Sequence, residues 1–272
     1  MINLGKTEYL EARNKVWQWL QDFPMKNNIW KGYFEDIRID NENFNRDQLS
    51  PMETARYILE HRSQVSDWQE KVARLICWVK ETLGAQPFFG AIPIHEQKFC
   101  HFVMGSHTAR FASICAQFAE LTGERIFREM AIRSFNWASY MANEDGTVTV
   151  GIDRPDYYNQ CWFTDGYFDY IPHFLDGMAA LPEKAPANEN HMLRSTSVIQ
   201  QISYQPKVIH YQCFESKSNQ RLRLNFFPRK VTADGKVLSK KEKLDEESGW
   251  KIGQIPYIMD IQITGKEVLI LG

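Results

Sequence analysis

Asp153-Arg-Pro-Asp-Tyr-Tyr-Asn-Gln-Cys-Trp-Phe-Thr-Asp-Gly-Tyr-Phe-Asp-Tyr-Ile-Pro-His-Phe-Leu-Asp-Gly-Met178 concentrates aromatic rings, carboxylates and one histidine in a single element. Read as a helix, it sets Trp162, Asp165, Asp169 and His173 at spacings of three and four on one face. Phe163, Tyr167, Tyr170 and Phe174 fall on a second, apolar face. Rings beside paired acids suit pyranose ligands, because aromatic planes stack on C–H faces and carboxylates bind hydroxyls or act as acid and base at a glycosidic carbon.

Working outward from that stretch, the residues before it read as helices and those well after it as strands. A first helix is expected over 7–23, stopped by Pro24. Ser50-Pro51-Met52-Glu53 carries the signature of a helix start, with Ser50 as N-cap, Pro51 at the first helical position and Glu53 bonding back to the cap. That helix should run from 51 to about 62. Ser66 opens another, whose apolar stripe is Trp68, Val72, Leu75, Ile76, Val79 and Leu83, with Gly84 as its end. The two make an antiparallel hairpin. His107 to Leu121, stopped by Gly123, and Glu124 to about Met141 make the next pair.

Between the pairs, residues 86–106 form a long non-helical link that holds His95 and His101, a candidate binding loop. Asn143-Glu-Asp-Gly146 is a turn into the extended Thr147–Val150. Beyond Pro182, Pro186 and Asn188 the apolar period changes from about 3.6 to 2. Strands are expected at 197–204, 208–214, 221–226, 230–233, 250–252, 260–264 and 267–271, with hairpin turns at Ala233-Asp-Gly-Lys236 and Thr264-Gly-Lys266. The expected class is therefore α+β. A helical-hairpin domain spans 1–185, and a C-terminal antiparallel β-sheet or sandwich spans 190–272.

Composition narrows the function. The chain of 272 residues holds 32 basic and 34 acidic side chains, a net charge of -2, and no basic run able to track a phosphate backbone, so nucleic acid is not an expected partner. Five cysteines without C-x-x-C spacing suggest neither a disulfide framework nor a zinc site. His95, His101 and His107 recur every six residues but lack a ligand motif such as H-E-x-x-H, so no metal and no cofactor is expected. Gly105-Ser-His-Thr-Ala-Arg110 sits at a helix start, where backbone N–H groups and Arg110 can hold a carboxylate. No apolar run reaches membrane-spanning length, and the N-terminus lacks a signal peptide. The expectation is a cytoplasmic protein, or an exported one if the chain is a piece of something longer.

Trp162-Phe-Thr-Asp-Gly-Tyr-Phe-Asp-Tyr-Ile-Pro-His-Phe-Leu-Asp-Gly-Met178, with His191-Met-Leu-Arg-Ser-Thr-Ser-Val198 after it and strands behind, resembles the end of the helical ring in (α/α) toroid carbohydrate-active proteins. These are glycoside hydrolases and polysaccharide lyases, including uncharacterised bacterial members. The resemblance covers roughly residues 30–272 and implies an oligo- or polysaccharide ligand. The resemblance names no reaction; the residues themselves lead to the expectation of hydrolysis by carboxylate acid/base chemistry, with Asp165 and Asp169 as the catalytic pair and Trp162, Tyr158, His107, Arg110, His95 and His173 binding substrate. The alternatives are a lyase acting on a uronate, in which Tyr158, His107 and Arg110 supply base and neutraliser, and a non-catalytic sugar-binding or assembly module. About six helices, or three hairpins, make an incomplete ring where a full toroid has about six hairpins, so the chain is expected to close by forming a homo-oligomer.

Overall fold

The computed structural model describes residues 9–31, 45–87, 89–98, 102–151, 169–245, 247–253 and 257–272. The class is α+β: six α-helices among the described residues, and antiparallel sheets. Two compact units divide the chain, one ending at Gly177 and the other covering Met178–Gly272. Among the described residues no helix is long and apolar enough to cross a membrane.

The first unit opens with α1 (Leu10–Leu20), which buries none of its residues and meets α2 (Leu49–Glu60) where the Trp17 and Tyr57 rings stand 5.3 Å apart. Pro24 does not stop the helical path as expected. It sits inside a π turn, Gln21–Met25, and its carbonyl accepts from the Ile29 N–H at 3.1 Å. A widened turn relieves the clash between a proline ring and the preceding turn, and the missing N–H is then no obstacle.

The start of α2 also departs from the expected capping box. Ser50 lies within the helix, and the side chain that caps it is Asp47, which accepts from the Leu49 N–H. Glu53 is thereby released from the cap and turns to arginines, as described below. In α3 (Trp68–Leu83) the stripe Val72, Leu75, Ile76, Val79 and Leu83 is buried as its spacing requires, and Gly84 ends the helix with an extended rather than left-handed backbone.

The next two elements are short: β1 (Ile94–His95) pairs antiparallel with β2 (Val103–Met104), so the long link is partly strand. Directly after β2 comes α4 (Gly105–Thr122), buried along almost its whole circumference through Ala109, Phe111, Ala112, Ile114, Cys115, Ala116 and Phe118. Gly123 stops it at φ 77°, the left-handed value that glycine adopts without strain. α5 (Arg125–Ala138) packs back on α4 and yields to a 3₁₀ turn, Ser139–Met141, shorter than the expected helix to 141. Residues 142–148 close a small hairpin through the Ala142–Val148 bridge, and the Val150 carbonyl accepts from the Gly105 N–H at 2.7 Å.

Asp169 and Tyr170 form a π turn leading into α6 (Ile171–Ala180). The second, apolar face expected of this stretch is present where it is described: Tyr170 and Phe174 lie 4.8 Å apart, and Phe135 of α5 lies 4.9 Å from Phe174. Phe163 and Tyr167 lie outside the described residues, as does everything from 152 to 168.

The second unit is two antiparallel sheets about one core. Its strands are β3 (His191–Ser195), β4 (Ile199–Gln205), β5 (Val208–Cys213), β6 (Lys217–Arg223), β7 (Lys230–Ala233), β8 (Lys236–Val237), β9 (Gly249–Ile252), β10 (Ile258–Thr264) and β11 (Glu267–Leu271). They order as β3-β6-β10-β9 and β4-β5-β11-β7-β8. Period-two alternation sends Ile209, Tyr211 and Cys213 of β5, Met259, Ile261 and Ile263 of β10, and Val268 and Ile270 of β11 into that core. The unit begins before the first strand because Ala179 and Ala185 pack on Leu193 and Ile258, and Arg221 donates to the Ala179 carbonyl at 3.0 Å.

Ala233–Lys236 is the expected hairpin, with Asp234 at φ 46° and Gly235 at φ 76°. Thr264–Lys266 is not one. β10 and β11 belong to different sheets, so this turn carries the chain from one layer to the other. Its N–H groups bond outward: Gly265 to the Ser216 carbonyl, and Lys266 and Glu267 to the Asp234 carboxylate.

Candidate functional site

Three segments of the first unit bring polar side chains together at helical spacing. α2 supplies Glu53 and Arg56, three apart. α4 supplies His107, Arg110 and Ser113, also three apart. The turn before α6 and α6 itself supply Asp169, His173 and Asp176, at spacings of four and three. An arginine on a helix as fully buried as α4 needs anionic partners, since an unpaired buried charge costs several kcal/mol. Arg110 has them: its Nε lies 3.2 Å from Glu53 Oε1 and its Nη2 donates to Asp169 Oδ1 at 3.0 Å.

Arg56 is the second hub. Its Nε donates to Glu53 Oε2 at 3.2 Å, its Nη1 to Asp176, and its Nη2 to Ser113 Oγ at 3.2 Å, with His173 Nδ1 3.3 Å from the same Nη2. Glu53 thus spans two guanidiniums with its two oxygens. The arginine side chains are 9% and 16% exposed, whereas Glu53, Asp169 and Asp176 are 45%, 31% and 44% exposed. The carboxylates therefore form the open side of the cluster, and the arginines beneath fix their orientation.

The histidines are neutral. Burial, with Arg110, Arg56 and His107 adding repulsion, pushes His173 down to about 3. Burial and then Arg110 push His107 down to about 4, against opposing pulls from Asp169 and from a hydrogen bond to the His95 backbone. Since that bond favours the protonated ring, the ring donates it to the carbonyl. His107 as a residue is only half-buried, but its Nδ1 is buried and lacks a hydrogen-bond partner, as does His173 Nε2.

Asp47 borders the cluster. Burial raises its carboxyl above the usual carboxylate range, Glu96 adds to the rise, and the Leu49 N–H and Arg110 oppose it.

Of the residues singled out from the sequence, Asp169, His173, His107 and Arg110 meet in this cluster. His95 adjoins it through its backbone bond to His107. Asp165, Trp162, Tyr158 and His101 lie outside the described residues. Arg110 already carries two protein carboxylates, so it is no longer the open guanidinium that the helix start suggested.

Sequence reasoning missed Arg56, Ser113, Asp176 and Asp47 and gave Glu53 the wrong task. A signal existed for two of them. Glu53 and Arg56 are an i, i+3 charge pair, and Asp176 continues the helical row of Asp169 and His173. Among the described residues no group of three His, Cys, Asp or Glu is placed to hold a metal ion. No family model, curated protein or solved structure matches the chain.

Proposed function

We propose that the α2, α4 and α6 cluster is the substrate end of a carbohydrate-active protein, an incomplete (α/α) toroid followed by a β-sandwich, which hydrolyses glycosidic bonds of an oligo- or polysaccharide. One observation carries the reading: Arg110 lies among carboxyl groups in unlike surroundings. Asp169 is paired with it, while Asp47 is half-buried and its carboxyl is raised. Glycoside hydrolysis uses two carboxyl groups in different surroundings, one working as acid at the leaving oxygen and the other as base or nucleophile at the anomeric carbon or its water. The charge balance supports a neutral sugar. Among the described residues of the cluster, two guanidiniums stand against the three carboxylates Glu53, Asp169 and Asp176, a balance that favours a neutral sugar over a uronate. Asp165 and Trp162, four and seven residues before Asp169, extend the same helical face in the sequence and belong to the proposal as second acid and stacking ring.

A second reading has its own observation. His107 is neutral at pH 7 with a buried, unpartnered Nδ1, which is what proton abstraction beside a uronate carboxyl requires.

Product chemistry separates the two. Incubation with a panel of neutral and uronate-containing polysaccharides should release new reducing ends without unsaturation if the protein is a hydrolase. Unsaturated, ultraviolet-absorbing uronate ends would establish the lyase instead. Binding without either product would leave a sugar-binding module.

A further inference from the structure

We infer that the outer face of α1, continued by the π turn after it, is a docking surface for a second copy of this chain, the two helices lying antiparallel about a two-fold axis. Tyr9, Ala12, Val16, Trp19 and Phe23 recur at spacings of three and four, the seam of a helix that pairs with another helix. All five are exposed, and Tyr9, Val16, Trp19 and Phe23 keep between 55% and 65% of their surface open. The Trp19 and Phe23 rings stack 6.1 Å apart, so the seam runs unbroken into the π turn. A different side of the helix meets the rest of the helical unit: Trp17 lies against Tyr57, and Pro24 and Met25 are buried.

The area suits a two-fold contact. Large rings bury about 150–250 Å² each, so three of them more than half exposed leave roughly 400 Å² open, a patch of the size that marks an interaction surface. A two-fold axis uses the patch twice. With Val16 and Ala12 added, the pair of stripes reaches the roughly 1,000 Å² that a specific interface needs.

Charge identifies the occupant. Residues 9–23 carry Glu11, Arg13, Lys15 and Asp22, two of each sign, so the stripe lacks the cationic rim that draws a helix to an anionic lipid surface. Lys15 and Asp22 each stand one residue before a seam residue, Val16 and Phe23, on the edge away from the half-buried Arg13 and Leu20. When Val16 faces Trp19 of the second copy in antiparallel pairing, Ala12 faces its Phe23, small against large. The same register sets Lys15 of each copy against Asp22 of the other. Parallel pairing would turn Lys15 toward Leu20 instead and make no ion pair. The partners these charges have within the chain, Glu11 for Lys15 and Gln18 for Asp22, are exposed contacts one turn away and are readily exchanged. Nothing in this inference depends on the sugar reading.

Sedimentation equilibrium of the full chain across a micromolar concentration series tests it. The wild-type protein should show a two-chain mass, and Trp19→Asp, on an exposed face, should show a one-chain mass with unchanged far-ultraviolet circular dichroism. Lys15→Asp and Asp22→Lys should each raise the dissociation constant about tenfold at low salt, because a two-fold axis removes two exposed ion pairs at once. Combining the two reversals should restore the wild-type value, which a general loss of structure would not do. A one-chain wild-type mass, with or without co-sedimentation on phosphatidylserine vesicles, would overturn the assignment. So would a dimer indifferent to Trp19→Asp, or a double variant as weak as the single ones.

Discussion

Arg56 Nη2 lies 3.3 Å from His173 Nδ1, which fixes a neutral imidazole beneath three carboxylates. The contact spans 117 residues of sequence, and the same guanidinium reaches Glu53, Asp176 and Ser113. A lysine cannot reproduce that fork, because it offers a single point charge on a flexible stem. Arg56→Lys should therefore destabilise the helical unit by about 3 kcal/mol, lowering its melting temperature by roughly 6–12 °C. Differential scanning calorimetry measures this, and an unchanged transition would mean that the fork does not hold the helices.

Acid should weaken the same unit, and the sign follows from the histidines. Their folded values, about 4 for His107 and about 3 for His173, lie below the ordinary value of about 6.5. Between those limits the unfolded chain binds more protons than the folded one, so stability is complete above about pH 6.5 and falls as pH drops toward 4. Each ring contributes on the order of 3 kcal/mol over the full window. Asp47, whose carboxyl is raised by burial, opposes the loss. Urea denaturation at pH 7.0 and 5.0 should show lower stability at 5.0, with a smaller drop in His173→Gln. A drop equal in both proteins would remove His173 from the account.

The helix start at 47–53 gives a local test. Asp47→Ala should cost about 1 kcal/mol, since it deletes the carboxylate that caps α2, whereas Ser50→Ala should stay within about 0.5 kcal/mol. The reverse order in a denaturant series would restore Ser50 as the cap.

Gly177 supports the site from behind α6, because a Cβ there would run into the Phe135 ring. Gly177→Ala should shift α6 or α5 and destabilise the fold by roughly 1–3 kcal/mol, the usual range for overpacking. Near-ultraviolet circular dichroism would show the altered Phe135–Phe174–Tyr170 packing, and an unperturbed spectrum with unchanged stability would contradict the close approach.

Much of the architecture is legible in sequence because it is written in local period. The stripe from Val72 to Leu83, the stop at Gly123, the Asp234-Gly235 turn and the change from helical to strand alternation all arise from neighbours along the chain. Features settled by distant contacts are not. Thr264-Gly-Lys266 has the composition of a hairpin, yet bonds from Ser216 and Asp234 carry it across layers. β6 hid its first half because its inward positions Ser218 and Gln220 are polar and bond each other at 2.8 Å. In the candidate site, Asp169 and His173 could be paired by spacing, but Arg110 meets Asp169 across 59 residues. Glu53 was drawn to a plausible cap three residues away, and only the tertiary fold shows that two arginines hold it.

The most direct test of the central claim is turnover by Asp169→Asn and Asp165→Asn on the neutral oligosaccharide that the wild-type protein cleaves fastest. Calorimetry should accompany it to confirm that each variant folds. Losing a positioned acid or base lowers turnover by roughly 10²-fold or more, so both variants should bind the sugar with near-native affinity and fall by at least that factor in kcat. A folded Asp169→Asn protein that cleaves at the wild-type rate would show that the carboxylate held by Arg110 serves the fold alone, and would contradict the proposed site.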